Sequence, residues 1–186
     1  SETGWYECDK IRFRQGTPEV IGGWNRLSDN TFLGVCRSLW NWITLGGSNL
    51  MALGTNLKYY IENGGQYYDI TPIRKTTTGA ATFAASNGSP VLTVTDASHE
   101  VVVGDFVTYS LAVSLGGNIT AAVLNQEYQI TSVPTISTYT IDVGVAANIL
   151  DVGNGGAATK AEYQINVGPE IQVPRTGWGA GAWGLG

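Results

Sequence analysis

Few side chains in this sequence could do chemistry. His99 is the only histidine, set in Asp96-Ala97-Ser98-His99-Glu100-Val101-Val102-Val103-Gly104-Asp105, with Asp96 and Asp105 as acidic neighbours. One imidazole cannot supply both a general base and a common metal-ligand set, and the spacing lacks the paired histidines of a metalloprotease helix. The segment reads as a turn between two strands, with His99 structural. Cys8 and Cys36 are the two thiols. Cys36 has no imidazole to pair with except His99, far along the chain, and reactive thiols need an electropositive, accessible setting. Both cysteines are expected to be free and buried, small hydrophobes rather than nucleophiles or a disulfide scaffold.

The remaining candidates point to binding rather than catalysis. The 25 glycines of 186 residues, nearly twice the usual ~7%, form neither a Walker-type phosphate loop nor a strand-Gly-x-Gly-x-x-Gly-helix unit, so they mark turns. Arg12 and Arg14 share one face of a strand and could meet a phosphate or an acidic neighbour; interface ion pairing is the preferred role. Trp178 and Trp183 sit among glycines in Gly177-Trp178-Gly179-Ala180-Gly181-Ala182-Trp183-Gly184-Leu185-Gly186. Their five-residue spacing puts the two indoles on opposite faces of any regular strand, and they look like anchors for a neighbouring surface. Asn118-Ile119-Thr120 matches a glycosylation acceptor, read as accidental in a chain with no export signal. No catalytic residue, metal ligand or cofactor site is assigned.

Charge bounds the partners. The balance is ten basic against fifteen acidic residues, a net charge of -5, which disfavours a protein that tracks nucleic acid through a broad basic surface. No run approaches the ~18 apolar residues of a membrane span. The chain is expected to be soluble and unexported. It begins with Ser rather than Met and stops in the glycine-rich run, which reads either as a piece of a longer chain or as a processed protein with a glycine-rich tail.

The elements that must position these groups are strands. Residues 1–78 carry eight basic and seven acidic residues and 79–186 carry two and eight, so two modules are expected, 1–78 and 79–168, with a terminal Gly/Trp-rich segment 169–186 and a junction at Thr76–Ala81. Strands are predicted around 5–14, 32–44, 49–54, 56–62 and 66–70, then 91–95, 101–109, 126–133, 137–143 and 161–167. In 56–62, Leu57, Tyr59 and Ile61 alternate with Lys58, Tyr60 and Glu62, the two-residue period of a half-buried strand, and Asn63-Gly64-Gly65 turns it into a hairpin with Gln66–Ile70. Gly34–Leu45 is apolar on both parities, as a strand covered on both faces would be. Tyr139, Ile141 and Val143 alternate with Thr138, Thr140 and Asp142. Only 119–125 and 145–150 could hold a helical turn. The predicted class is all-β.

Several blocks carry a resemblance. Trp5-Tyr6-x-x-Asp9-Lys10-Ile11-Arg12-Phe13-Arg14-x-Gly16-x-Pro18-Glu19-x-Ile21-Gly22-Gly23-Trp24 resembles the opening of large structural proteins of tailed bacteriophages, and Leu33–Arg37, Leu57–Tyr60 and Tyr67–Ile73 fit the same pattern. These proteins look related to the neck and tail-hub components of short-tailed phages, some of which fold as β-propellers. Gly104–Thr108 through Leu124–Ile130 to Thr138–Ile141 is similar to a small β-barrel module inserted in many phage tail proteins. Such proteins are several times longer, so at most one blade plus the insertion is expected here.

The resemblance implies propeller-blade-like antiparallel strands followed by a small β-barrel or sandwich. It implies a virion structural subunit of the neck or tail, assembled in the host cytoplasm. Its partners would be other virion subunits and further copies of itself, with passive contact to DNA leaving the particle. Two other functions compete, a carbohydrate-binding or host-adhesion module and a self-assembling β filament joined by strand exchange. An enzyme is the least favoured.

Overall fold

The computed structural model describes residues 9–23, 28–97 and 99–166. Trp5, Cys8, Trp24, Trp178 and Trp183 lie outside the described residues. The described chain is all-β, with fourteen strands in three antiparallel sheets and a single four-residue helix.

Strands β1 (Ile11–Arg14) and β2 (Thr17–Val20) form a two-stranded ribbon. Its turn is Gln15-Gly16, both at positive φ. Pro18 stands opposite Phe13, tolerable because a two-stranded ribbon has an open side where the missing N–H costs nothing.

Strands β3 (Cys36–Ile43), β4 (Asn49–Thr55), β5 (Tyr59–Asn63) and β6 (Gln66–Asp69) follow in sequence order as a four-stranded sheet. The β5–β6 hairpin is the one the Asn-Gly-Gly signal predicts. Gly64 and Gly65 both take positive φ, and Asn63 pairs with Gln66.

The third sheet takes β7 (Ile73–Thr78), β8 (Thr82–Ala85), β9 (Val91–Thr95), β10 (Phe106–Ser110), β11 (Glu127–Thr135), β12 (Thr138–Asp142), β13 (Asp151–Asn154) and β14 (Lys160–Gln164), in the order β13-β8-β9-β12-β11-β10-β14-β7. The two ends of that order are two halves of the same strand pair. Asp151 faces Ala85 and Asn154 faces Phe83, then Lys160 faces Thr78 and Gln164 faces Ile73. One bent segment (73–85) therefore runs antiparallel to another (151–164), and the sheet curls round onto itself like a barrel.

The bend sits at Gly79. Its φ is +68°, its N–H donates to the Thr159 carbonyl at 2.7 Å, and a Cβ there would lie 2.5 Å from the Ala157 carbonyl oxygen. Only glycine suits that corner. Inside the curl the inward side chains form one core, including Phe83, Leu92, Val94, Val107, Tyr109, Ile130, Tyr139, Ile141 and Tyr163, each 1% exposed or less. The alternation of Tyr139, Ile141 and Val143 is the inward face of β12.

Several expectations need correction. Thr76–Ala81 is not a linker: Thr76, Thr77 and Thr78 end β7 and pair with Glu162, Ala161 and Lys160. Within the predicted strand 101–109, residues 102–105 form a turn. Gly104 has φ +94°, the Asp105 N–H donates to the Val102 carbonyl, and the Val102 N–H donates to the Asp105 carboxylate at 3.0 Å. Residues 145–150 are not helical. There Ala147 N–H donates to the Ser89 carbonyl and the Asn148 side chain accepts the Asn118 N–H. The helical turn appears only at α1 (Ala121–Leu124), where the Thr120 hydroxyl accepts the Val123 N–H as N-cap.

Candidate protein interface

The two faces of the four-stranded sheet meet different surroundings. Successive side chains on a strand alternate faces, and the register puts Leu39, Leu53, Tyr60 and Asp69 in one row and Trp40, Ala52, Ile61 and Tyr68 in the next. The Tyr60 face is covered. Phe32 packs edge-on to Tyr67 at 5.1 Å and tilted against Tyr60 at 6.1 Å, while the Leu33 N–H donates to the Tyr60 hydroxyl. The segment is pinned at its far end by Ser28 and Asn30, whose side chains both donate to the Gly65 carbonyl.

The opposite face is open among the described residues. Trp40 is 74% exposed, Tyr68 56% and Ile70 48%. Ser38, Trp40, Ala52, Gly54, Tyr59, Ile70 and Pro72 line a shallow apolar groove of about 340 Å³ that opens over this face. Gly54 lets Ser38 approach closely, since a Cβ on Gly54 would meet the Ser38 hydroxyl at 2.4 Å.

Strand β3 is the outer strand of this sheet, bonded only to β4 among the described strands. Gly34–Leu45 was expected to be covered on both faces. It is instead exposed along most of its length, with Val35 69%, Leu39 60% and Ile43 68% exposed. Periodicity reports that both faces are apolar, and cannot tell whether the covering atoms belong to the same chain. This eight-residue edge, with Leu39, Trp40, Trp42 and Ile43 beside Arg37, Ser38 and Asn41 and without proline, offers a row of backbone donors and acceptors to another strand.

A buried ion cluster fixes this sheet to the curled one. Lys58, 1% exposed, donates to Asp69 beside it and to Glu127 at the start of β11, both at 2.5 Å, and its ammonium lies 4.6 Å from the centre of the Phe106 ring. Gln164 on β14 donates to the same Glu127 carboxylate. Burial alone pulls the Lys58 pKa down, yet the hydrogen bonds and charges of Asp69 and Glu127 outweigh it and hold the ammonium above its ordinary value. For Asp69 burial raises the pKa and the bonds from Lys58 and Thr71 overcome it, leaving the carboxyl below its ordinary range. Sequence analysis missed this cluster because Lys58 reads as the outward partner of Tyr60 and Glu62.

The groups that sequence analysis weighed for chemistry are embedded in the core. His99 is 2% exposed, its Nδ1 accepts the Val101 N–H at 3.0 Å, and its ring meets Tyr139 edge-on. Nearby, Tyr109, Tyr139 and Tyr163 form a chain of hydroxyls ending on the Asp96 carboxylate, to which Thr77 also donates. Burial pushes all three phenols far above their ordinary pKa; at Tyr139 and Tyr163 the neighbouring tyrosine adds to it, whereas at Tyr109 the hydrogen bond with Tyr139 works against it. The hydroxyl chain satisfies the three phenols and Asp96, while His99 Nε2 is buried without a hydrogen-bond partner among the described residues; the groove described above lies over the other sheet.

Cys36 is free but only half-buried, with its Sγ near the Ser38 carbonyl, rather than wholly buried. Arg12 and Arg14 lie on exposed β1, where Arg12 pairs with Glu19 at 3.2 Å; the Trp40 groove does not include them. The Asn118 amide donates to the Ala146 carbonyl. Among the described residues no group of three His, Cys, Asp or Glu could hold a metal ion, and no helix is long and apolar enough to cross a membrane.

No protein family matches the chain, and no curated protein matches it. Among solved structures, a phage phi92 endosialidase superposes with a TM-score of 0.40 at 17% identity, over 73% of this chain and 18% of that chain. This chain thus spans about a fifth of that protein's length, and a likeness at this level fixes neither fold nor activity.

Proposed function

We propose that this chain is a structural subunit of a tailed-phage virion, of the neck or tail and specifically of a tail hub or head-to-tail connector. Its parts would be a blade-like segment over 1–78, a barrel-like module over 79–168 and a terminal Gly/Trp-rich segment over 169–186. The observation that carries this reading is the open apolar edge of β3, with Leu39 and Ile43 exposed on one face and Trp40 on the other. An isolated soluble protein rarely leaves such an edge bare, because it templates association; a subunit pressed against neighbours covers it. The block resemblance over residues 5–75 supplies the phage context. The reading gives the chain no reaction, cofactor or metal, and its partners are other virion subunits and further copies of itself.

The test is negative-stain imaging of the purified chain and of virions containing it, beside the variant Leu39→Lys/Ile43→Lys. Both side chains are exposed, so charges there should leave the monomer folded while blocking assembly. A wild-type chain that stays monomeric and is absent from particles sinks the proposal. A glycan-binding module is the second reading, favoured by the Trp40 and Tyr59 rings lining the groove; binding on a glycan array that Trp40→Ala abolishes would replace the first.

A further inference from the structure

Strand β3 has one edge bonded to β4 and one edge that no described strand pairs with. Which residues serve the free edge follows from the β3–β4 hairpin. The Thr44 N–H donates to the Ser48 carbonyl at 2.9 Å, so Thr44 and Ser48 face each other as a hydrogen-bonded pair. Bonded and non-bonded pairs alternate along an antiparallel ladder, and the register from Ile43–Asn49 to Ser38–Gly54 is unbroken. Ser38, Trp40 and Trp42 therefore turn their backbone groups to β4, and Leu39, Asn41 and Ile43 turn theirs outward. We propose that this edge pairs antiparallel with β3 of a second copy of the chain, about a two-fold axis at Asn41, so that the two four-stranded sheets join into one continuous sheet. That names the partner of the same open edge on which the virion reading rests.

Two such edges can bond only with one outward residue opposite another, which leaves few registers. With Asn41 opposite Asn41 of the second copy, Leu39 meets Ile43 on one face, and Trp40 meets Trp42 on the other, each contact occurring twice about the axis. Every apolar side chain then finds an apolar one, and the two amides can hydrogen-bond each other. Arg37, the one charged residue of β3, falls opposite the turn after Thr44, so no like charges are opposed. Moving the axis to Trp40 would set Asn41 against Leu39 and Arg37 against Ile43, and moving it to Trp42 would set Asn41 against Ile43. The contact is isologous and closes on itself, because each copy uses its edge once. Leu39, Trp40 and Ile43 are each more than half exposed. With an indole presenting ~150 Å², the strand offers roughly 500 Å² per copy, about 1,000 Å² in all, the lower bound for a specific interface.

The test is sedimentation of the full chain from micromolar to near-millimolar concentration, with oxidative cross-linking of single-cysteine variants to read the register. Dimers should form. In a background with Cys8 and Cys36 replaced by Ser, Asn41→Cys should cross-link several-fold faster than Trp40→Cys or Trp42→Cys, since Cα atoms of a bonded pair lie ~5.5 Å apart, within disulfide reach. Asn41→Asp, which sets two carboxylates face to face at the axis, should weaken the dimer about ten-fold or more. Asn41 is exposed, so these variants should keep the fold, and unchanged amide exchange in β4 and β5 checks it. A chain that stays monomeric throughout overturns the inference, as does a dimer that Asn41→Asp leaves intact or that cross-links fastest through position 40 or 42. If the monomeric chain is nonetheless found in particles, the virion reading survives without this one, because the edge then meets a different subunit. A dimer paired through Asn41 that is absent from particles leaves this inference standing and removes the other.

Discussion

Replacing Lys58 by Met tests what joins the two larger sheets. The substitution keeps most of the buried stem and removes the ammonium that bridges Asp69 and Glu127. Removing one member of a fully buried pair costs ~3–5 kcal/mol. Here the side chains of Asp69 and Glu127 are 34% and 31% exposed, so solvent screens the orphaned carboxylates and the expected loss falls to ~2 kcal/mol. For a chain of this length that lowers Tm by about 4–8 °C. The pH dependence follows from the sign of each shift. Asp69 has a depressed pKa in the fold, so its contribution is present above the ordinary carboxylate range and is lost as pH falls through the folded value. Lys58 has a raised pKa, so its contribution is present below the ordinary lysine range and is lost as pH rises past the folded value. Wild type and K58M should therefore differ most near neutrality and converge only as pH falls below the ordinary carboxylate range and through the depressed folded value of Asp69.

The assay is urea denaturation in a background with Trp5, Trp24, Trp178 and Trp183 replaced by Phe, followed by tryptophan fluorescence, which then reports β3 through Trp40 and Trp42, and by near-ultraviolet dichroism of the buried tyrosines. In K58M the fluorescence transition should move to lower urea and separate from the dichroism transition, as the sheets uncouple. Adding Asp69→Asn and Glu127→Gln should recover part of the loss, because no unpaired charge then remains. Coincident transitions with an unchanged midpoint in K58M would show that the bridge contributes nothing.

Three further outcomes are expected. Burial raises the phenol pKa of Tyr109, Tyr139 and Tyr163, so the fold resists their ionisation and its stability declines as pH rises above the ordinary tyrosine range of about 10; absorbance at alkaline pH should show these three titrating only as the protein unfolds, and Tyr139→Phe should cost ~1–2 kcal/mol in denaturant melts through its two lost hydroxyl bonds. Gly79→Ala should destabilise by ~2 kcal/mol or more, measured by thermal unfolding, since the methyl group meets the Ala157 carbonyl at a positive-φ corner. Arg12→Ala should change stability by less than ~0.5 kcal/mol in the same measurement, because its pair with Glu19 is exposed on both sides.

What was legible in the sequence was whatever is decided locally. The β5–β6 hairpin follows from Asn63-Gly64-Gly65, and β9 and β12 follow from alternation against a single shared core. Strands β7, β8 and β13 were invisible. Thr76–Ala81 reads as a threonine-rich junction and Asp151–Asn154 has little β-propensity, so β7 and β13 are strands because distant partners supply their hydrogen bonds, whereas β8 (Thr82–Ala85) pairs with β9 beside it as well as with β13. The opposite error occurred at Val101–Val103, where a strong β-former run yields to Gly104 and the Asp105 carboxylate. For the interface, sequence singled out Trp178 and Trp183 and placed Arg12 and Arg14 on a strand, but it put Trp40 in a covered element. The open face could have been suspected from Tyr68 and Ile70, which continue on β6 and beyond it the apolar side that Ile61 and Tyr59 begin on β5.

The double bend that curls the third sheet also dictates when it can form. Strand β7 finds its partner only at 160–164, and β8, which pairs locally with β9, finds its second partner only at 151–154, so both of these pairings must wait for more than sixty intervening residues, and the loop-closure entropy is met late. During synthesis β7, the outer edge of β8 and one edge of β10 stay bare until residues 151–164 have emerged. A nascent chain halted before that point carries unpaired edges together with the apolar β3 edge, and it is the species on which aggregation or early capture by neighbouring chains would act.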